Sequence, residues 1–135
     1  MASLLEEKDA IRELLALYCH TIDAGEYDRW VELFTEDGVF DLGNFGRFQG
    51  RESLRSFANH IPTEDGKPTL RHCVLNSMID VEGDRARARS YVVVFQGKPA
   101  LAVSVVGRYE DELRKVGGSW RFAVRKVSLE FLAQG

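Results

Sequence analysis

Four long runs rich in Val, Ile, Phe and Tyr occupy the second half of the chain: Leu70–Val81, Arg85–Gln96, Ala100–Arg114 and Trp120–Leu132. Only Glu82-Gly83-Asp84, Gly97-Lys98-Pro99 and Val116-Gly117-Gly118-Ser119 separate them. Links that short cannot carry a parallel crossover, which needs a dozen or more residues, so successive runs must pair antiparallel. Strands of about 11 to 15 residues are longer than the usual mode. A sheet of such strands twists and curls.

The first third follows a helical period. Ser3 and Glu6 form a capping-box pattern, and Ile11, Leu14, Leu15, Tyr18 and Ile22 recur at helix spacing up to Gly25. Trp30, Leu33 and Phe34 predict a second, shorter helix, which the turn Thr35-Glu36-Asp37-Gly38 ends. Val39–Leu42 reads as a short strand able to pair with Arg47–Gln49. Leu54, Phe57, Ala58 and Ile61 mark a third helix stopped by Pro62, and 63–68 reads as a loop. Helices first and sheet afterwards define an α+β class, here one domain over residues 1–135. The expected architecture is a cone-shaped curled antiparallel sheet with three N-terminal helices enclosing a pocket. Alternation in the second run turns Arg85, Arg87 and Arg89 outward. It turns Ala86, Ala88, Ser90, Val92, Val94 and Gln96 inward.

The 135 residues, 44% of them apolar, suffice for one core. Eighteen Lys+Arg against 21 Asp+Glu leave a net charge of −3, with no basic excess to collect phosphates, so nucleic acid is not an expected partner. No apolar stretch approaches the roughly 20 residues of a membrane span, and the acidic N-terminus is no signal peptide. The expectation is therefore a cytoplasmic domain without a membrane partner. Cys19 and Cys73 have no metal spacing, no His-x-x-x-His is present, and no glycine-rich phosphate loop follows a strand. Neither a metal nor a cofactor is expected.

The stretch from Tyr18 to Gly38, the Arg71-His72 pair and the closing 118–125 segment resemble the SnoaL-like families of the nuclear transport factor 2-like superfamily. The resemblance implies a cone-shaped α+β barrel. The superfamily holds enzymes of several kinds and non-catalytic members, so fold alone does not set the activity. Scytalone dehydratase, bile-acid 7α-dehydratase and hexachlorocyclohexane dehydrochlorinase share an Asp late in the first helix and a His early in the next long strand. Asp23 and His72 match these positions. Tyr18 matches a Tyr of the bile-acid enzyme, and Arg125 matches a pocket Arg of the dehydrochlorinase. Ile22 and Gln96 stand where scytalone dehydratase has a Tyr and a second His.

A carboxylate bonded to one imidazole nitrogen fixes the tautomer and leaves the other nitrogen free to take a proton from carbon. His72 is thus a candidate base and Asp23 its orienting partner. Loss of hydroxide or halide from the neighbouring carbon would complete an elimination; return of the proton elsewhere would complete an isomerisation. Tyr18 lies about 140° round the helix from Asp23, so it is either a core residue or a phenol donor at a pocket that wraps the helix end. Arg125 shares a strand face with Ala123 and Val127, and parity does not decide its direction. Inward it would anchor an oxyanion; outward, the simpler reading of the strand alone, it would be a solvated charge. Asn76 shares the His72 face in an unbulged strand and is a candidate pocket donor, while Trp30 and Phe34 read as core or pocket wall. His20 and His60 read as surface or rim histidines, and Cys73 as packing.

The leading expectation is a cofactor-independent lyase of dehydratase type, or an isomerase, acting on a small hydrophobic molecule. The alternatives are a non-catalytic binding protein for a hydrophobic metabolite, and a structural subunit like those of ring-hydroxylating dioxygenases. The apolar run from Ala100 to Val106 and the resemblance both imply self-association, as a homodimer or a homotrimer.

Overall fold

The computed structural model describes residues 2–133. In chain order the elements are α1 (Leu4–Asp23), α2 (Tyr27–Val31), β1 (Phe34–Asp41), a 3-10 turn (Gly43–Phe45), β2 (Arg47–Gln49), α3 (Arg51–Ala58), β3 (Thr63–Glu64), β4 (Lys67–Pro68), β5 (Leu70–Glu82), β6 (Arg85–Gln96), β7 (Ala102–Val116) and β8 (Ser119–Leu132). The class is α+β, with three helices against one six-stranded sheet in the order β2-β1-β8-β7-β6-β5.

The long strands β5 to β8 form the expected antiparallel meander. The sheet as a whole is mixed, because β1 runs parallel to β8, with Phe40 beside Arg125. The meander argument constrains only strands joined by short links; β1 and β8 are far apart in sequence, so either direction was open to them. Phe34 begins β1 and does not extend the second helix, which stops at Val31. Segment 63–68 is a two-stranded ribbon, β3 with β4, and not an irregular loop.

Helix α1 starts as its first residues dictate. The Ser3 hydroxyl accepts from the Glu6 N–H, and Glu6 accepts from the Ser3 N–H. Replacing Ser3 by Ala is expected to cost about 1 kcal/mol, read as a lower midpoint in urea unfolding. Ile11, Leu14, Leu15, Tyr18 and Ile22 are all buried, so the apolar stripe lies on the sheet.

The inner face of β6 carries Ala86, Ala88, Ser90, Val92 and Val94, all buried, and Arg85, Arg87 and Arg89 face out as alternation requires. The inner volume is filled with aromatic rings. Trp30, Phe34 and Phe122 are completely buried, and Tyr18 lies against Trp30, Phe34, Phe40, Tyr109 and Phe122 at centroid distances of 5.7 to 6.4 Å. Trp30 and Phe34 are therefore core residues. Bulges interrupt the meander at several places. At one of them Gly107 passes so close to β8 that an added Cβ would sit 2.3 Å from the Ser128 carbonyl oxygen. No helix among the described residues is long and apolar enough to cross a membrane.

Candidate active site

The last residue of α1 and the third residue of β5 meet at the edge of the sheet. The Asp23 carboxylate accepts a hydrogen bond from the His72 ring Nδ1 at 2.6 Å through one oxygen, and from the His72 backbone N–H at 2.9 Å through the other. Each side chain is only about one-eighth exposed, at 13% and 12%. A carboxylate at a helix C-terminus faces the negative end of the helix dipole, and the two His72 donors offset that cost. With Nδ1 engaged as donor, the tautomer is set and Nε2 keeps its lone pair. Nε2 makes no hydrogen bond to the described protein atoms.

A groove between α1 and the edge strand β5 leads to His72. It encloses about 520 Å³ and opens to solvent. Leu15, Ala16 and Cys19 line it from the helix, and Val74 and Ser77 from the strand. Burial pushes the Cys19 thiol up to about 12, so it remains a neutral thiol. The volume falls within the range of small-molecule sites. The expected pocket was one enclosed between the helices and the curled sheet; the groove that reaches His72 instead runs along the sheet edge, because aromatic rings occupy the interior.

Tyr18 stands edge-on behind His72, with ring centroids 6.4 Å apart. It is 2% exposed, and burial holds its phenol well above the usual range, so it stays protonated. Deeper still lies Arg125, which is completely buried. Its Nε and Nη2 donate to the two carboxylate oxygens of Asp111 at 2.9 and 3.1 Å. The guanidinium carbon sits 3.5 Å from the centre of the Tyr109 ring, 4.3 Å from Tyr18 and 4.4 Å from Phe122. Nη1 has no hydrogen-bond acceptor among the described residues, and the surrounding ring faces supply the negative potential that an acceptor would.

The simple outward reading of Arg125 is thus corrected, for a definite reason. The β7–β8 register shifts between Glu112 and Leu113, so that Leu113 faces Phe122 while Glu112 faces Val124. Ala123 is the extra residue of a bulge, and the bulge reverses parity along β8. Trp120 and Phe122 face inward before it, and Arg125 and Val127 after it. Asp111 was not anticipated. Its signal was present: in β7 it alternates inward with Tyr109 and Leu113, as an acid among buried positions.

Asn76 is also corrected. The β5–β6 register shifts between Leu75 and Met78, and Asn76 takes φ 55° at that bulge. It is exposed, and Ser77 turns inward in its place to share a 2.8 Å hydrogen bond with Ser90. Gln96 lies at the far end of β6 opposite Leu70, where its Nε2 donates to the Ala100 carbonyl at 3.4 Å. Of the eight candidates, Asp23, His72 and Tyr18 come together at one place, and Arg125 lies behind Tyr18. No cluster of three or more metal-ligating side chains occurs among the described residues.

A curled sheet on three helices, with its polar pair where α1 meets β5, defines a nuclear transport factor 2-like domain of cystatin-like fold. Solved structures of that class superimpose closely. A protein of unknown function from Mycobacterium tuberculosis is 31% identical, with 94% of this chain and 73% of that chain covered at a TM-score of 0.83. A nuclear transport factor 2-like protein with a cystatin-like fold from Novosphingobium aromaticivorans is 27% identical, with 94% and 84% covered at 0.83. A scytalone dehydratase-like protein from the same organism is 22% identical, with 97% and 89% covered at 0.83, and shows the fold alone. The SnoaL-like domain model matches residues 3–126, and the chain belongs to that family. No curated protein matches the sequence.

Proposed function

We propose that the protein is a cofactor-independent lyase of dehydratase type, or an isomerase, in which His72 is the base and Asp23 its orienting partner. One observation carries this reading: Asp23 grips both the ring and the backbone of His72, and the free Nε2 belongs to a residue that lines a groove. A purely structural His–Asp pair has no need of a ligand-sized groove beside it. In elimination, Nε2 takes a proton from carbon, the C–H electron pair becomes the new C=C bond, and hydroxide or halide leaves from the neighbouring carbon. In isomerisation, the imidazolium returns the proton to a different carbon. The Asp23 carboxylate stabilises the imidazolium in both cases. Tyr18 packs behind His72 in the aromatic core and does not line the groove, so it backs the imidazole and has no contact with a substrate there.

An activated carbon acid such as 5-nitrobenzisoxazole tests the base directly, because its ring opens when a base removes one C–H proton. Wild-type protein should open it faster than the His72→Ala variant. Equal rates would overturn the assignment.

The outer sheet face supports association with a second copy of this chain. Cys73, Val93, Val106 and Phe131 stand side by side across β5, β6, β7 and β8. Leu75, Tyr91 and Val103 extend that band, and Phe131 is 70% exposed. Outward charges flank the band in pairs of opposite sign, Arg89 beside Glu110 and Arg108 bridged to Glu130, a pattern that can match its own copy across a two-fold axis. Phe131→Glu is expected to yield monomers in sedimentation; a wild-type protein already monomeric at high concentration would sink this interface.

A further inference from the structure

We infer that the groove beside His72 recognises an anionic group, a carboxylate or its equivalent, on an otherwise apolar molecule, and that Arg12 is the residue that reads it. As a statement about substrate, this rests on the His72 reading above. As a statement about binding, it stands on the groove itself.

Arg12 is the one Lys or Arg side chain in the groove lining; His20 and His72 also border it, and no Asp or Glu among the described residues does. Asp23 is committed to His72 through both of its oxygens. Arg12 is exposed and forms no ion pair with a carboxylate among the described residues. Its position follows from the helix. Arg12, Ala16 and His20 stand four residues apart, so they share the face of α1 that looks onto the groove. Eight residues at 1.5 Å each put Arg12 about 12 Å along the helix from His20. Between them, Leu15 and Ala16 face Val74 across an apolar floor. The arrangement suits an elongated ligand whose hydrocarbon body lies on that floor. Its anion meets the Arg12 guanidinium, and its other end reaches the His72 imidazole. A guanidinium pairs with a carboxylate through two parallel charge-assisted hydrogen bonds, which gives orientation as well as affinity. The Ser77–Ser90 hydrogen bond fixes the strand side of the groove at the bulge.

The test compares two probes of equal shape, 2-naphthoate and the neutral 2-naphthamide, titrated into ¹⁵N-labelled protein. Naphthoate should shift the amide resonances of Leu15, Ala16, Cys19 and Val74 and bind about tenfold more tightly than naphthamide, the factor that 1.4 kcal/mol of charge-assisted pairing gives. Arg12→Gln should bring naphthoate down to the naphthamide level, and Arg12→Lys should restore part of the difference. Arg12 is exposed, so neither variant should disturb folding. Equal affinity for the two probes, a preference that survives Arg12→Gln, or shifts confined to the outer sheet around Val93 and Phe131 would each overturn the anion site. The two readings fail separately. Loss of the naphthoate preference with His72-dependent ring opening intact removes the anion site and leaves the base. A preference retained without His72-dependent ring opening supports the anion site and removes only the base.

Discussion

Replacing His72 by Ala should lower the rate of carbon deprotonation by about 100- to 10,000-fold, the span that one well-placed general base supplies. The site contains no evident substitute. His20 borders the same groove but is exposed and has no carboxylate partner among the described residues to fix its tautomer. Asp23 cannot take over, because both of its oxygens accept from His72. Asp23→Asn separates orientation from mere presence. An amide has one oxygen where the carboxylate has two, so it can accept from Nδ1 or from the backbone N–H, but not from both. Its NH2 group would then oppose the remaining donor. The Asn variant should therefore be slow even though its imidazole is intact, and NMR should show the ring in altered tautomeric balance. A His72→Ala protein that opens 5-nitrobenzisoxazole at the wild-type rate would end the assignment. An Asp23→Asn protein as fast as wild type would end the orienting role alone.

Removing the Arg125 side chain as Ala should cost about 3–5 kcal/mol of stability, because it leaves the Asp111 carboxylate buried without its countercharge. At roughly 3 °C per kcal/mol for a domain of this size, the melting temperature should fall by about 10–15 °C. Replacing both partners, Arg125→Met with Asp111→Leu, should recover that loss and can exceed wild type by about 1–4 kcal/mol, since neither charge then has to leave water. Burial pushes the Asp111 carboxyl up more strongly than the Arg125 charge pulls it down. A carboxyl raised on folding favours the folded state while it is protonated. That share of stability is lost as pH rises from about 4 through the raised value. The double variant should lack this dependence, so its advantage over wild type should grow over that interval. A double variant as unstable as Arg125→Ala would show that the aromatic stack on the guanidinium, and not the charge pair, holds the centre of the domain together.

Local pattern carried a large part of the fold. The short links among the four long runs required a meander, and the 3.6-residue stripe of α1 required a helix lying on it. The parity of Arg85, Arg87 and Arg89 against Ala86, Ala88 and Ser90 identified the inner face of β6, because that stretch of the strand has no bulge. Parity failed wherever a bulge added a residue. The bulge at Asn76 turned a candidate donor to solvent, and the one at Ala123 turned Arg125 into the core. A bulge arises from how two strands share register, and neither strand's own sequence specifies it.

By itself, the sequence determined the class of the fold, the order of its three helices and four long strands, and the two residues, Asp23 and His72, that meet. Each of these follows from local periodicity, link length or the family pattern. Only the tertiary structure decided that Asp23 holds His72 at two points, that Asp111 neutralises Arg125, and that the accessible space beside His72 lies along the sheet edge and not in the cone. Those features depend on strand register and on how large rings fill a common volume. They join residues as far apart as 49 positions, beyond the reach of any local pattern.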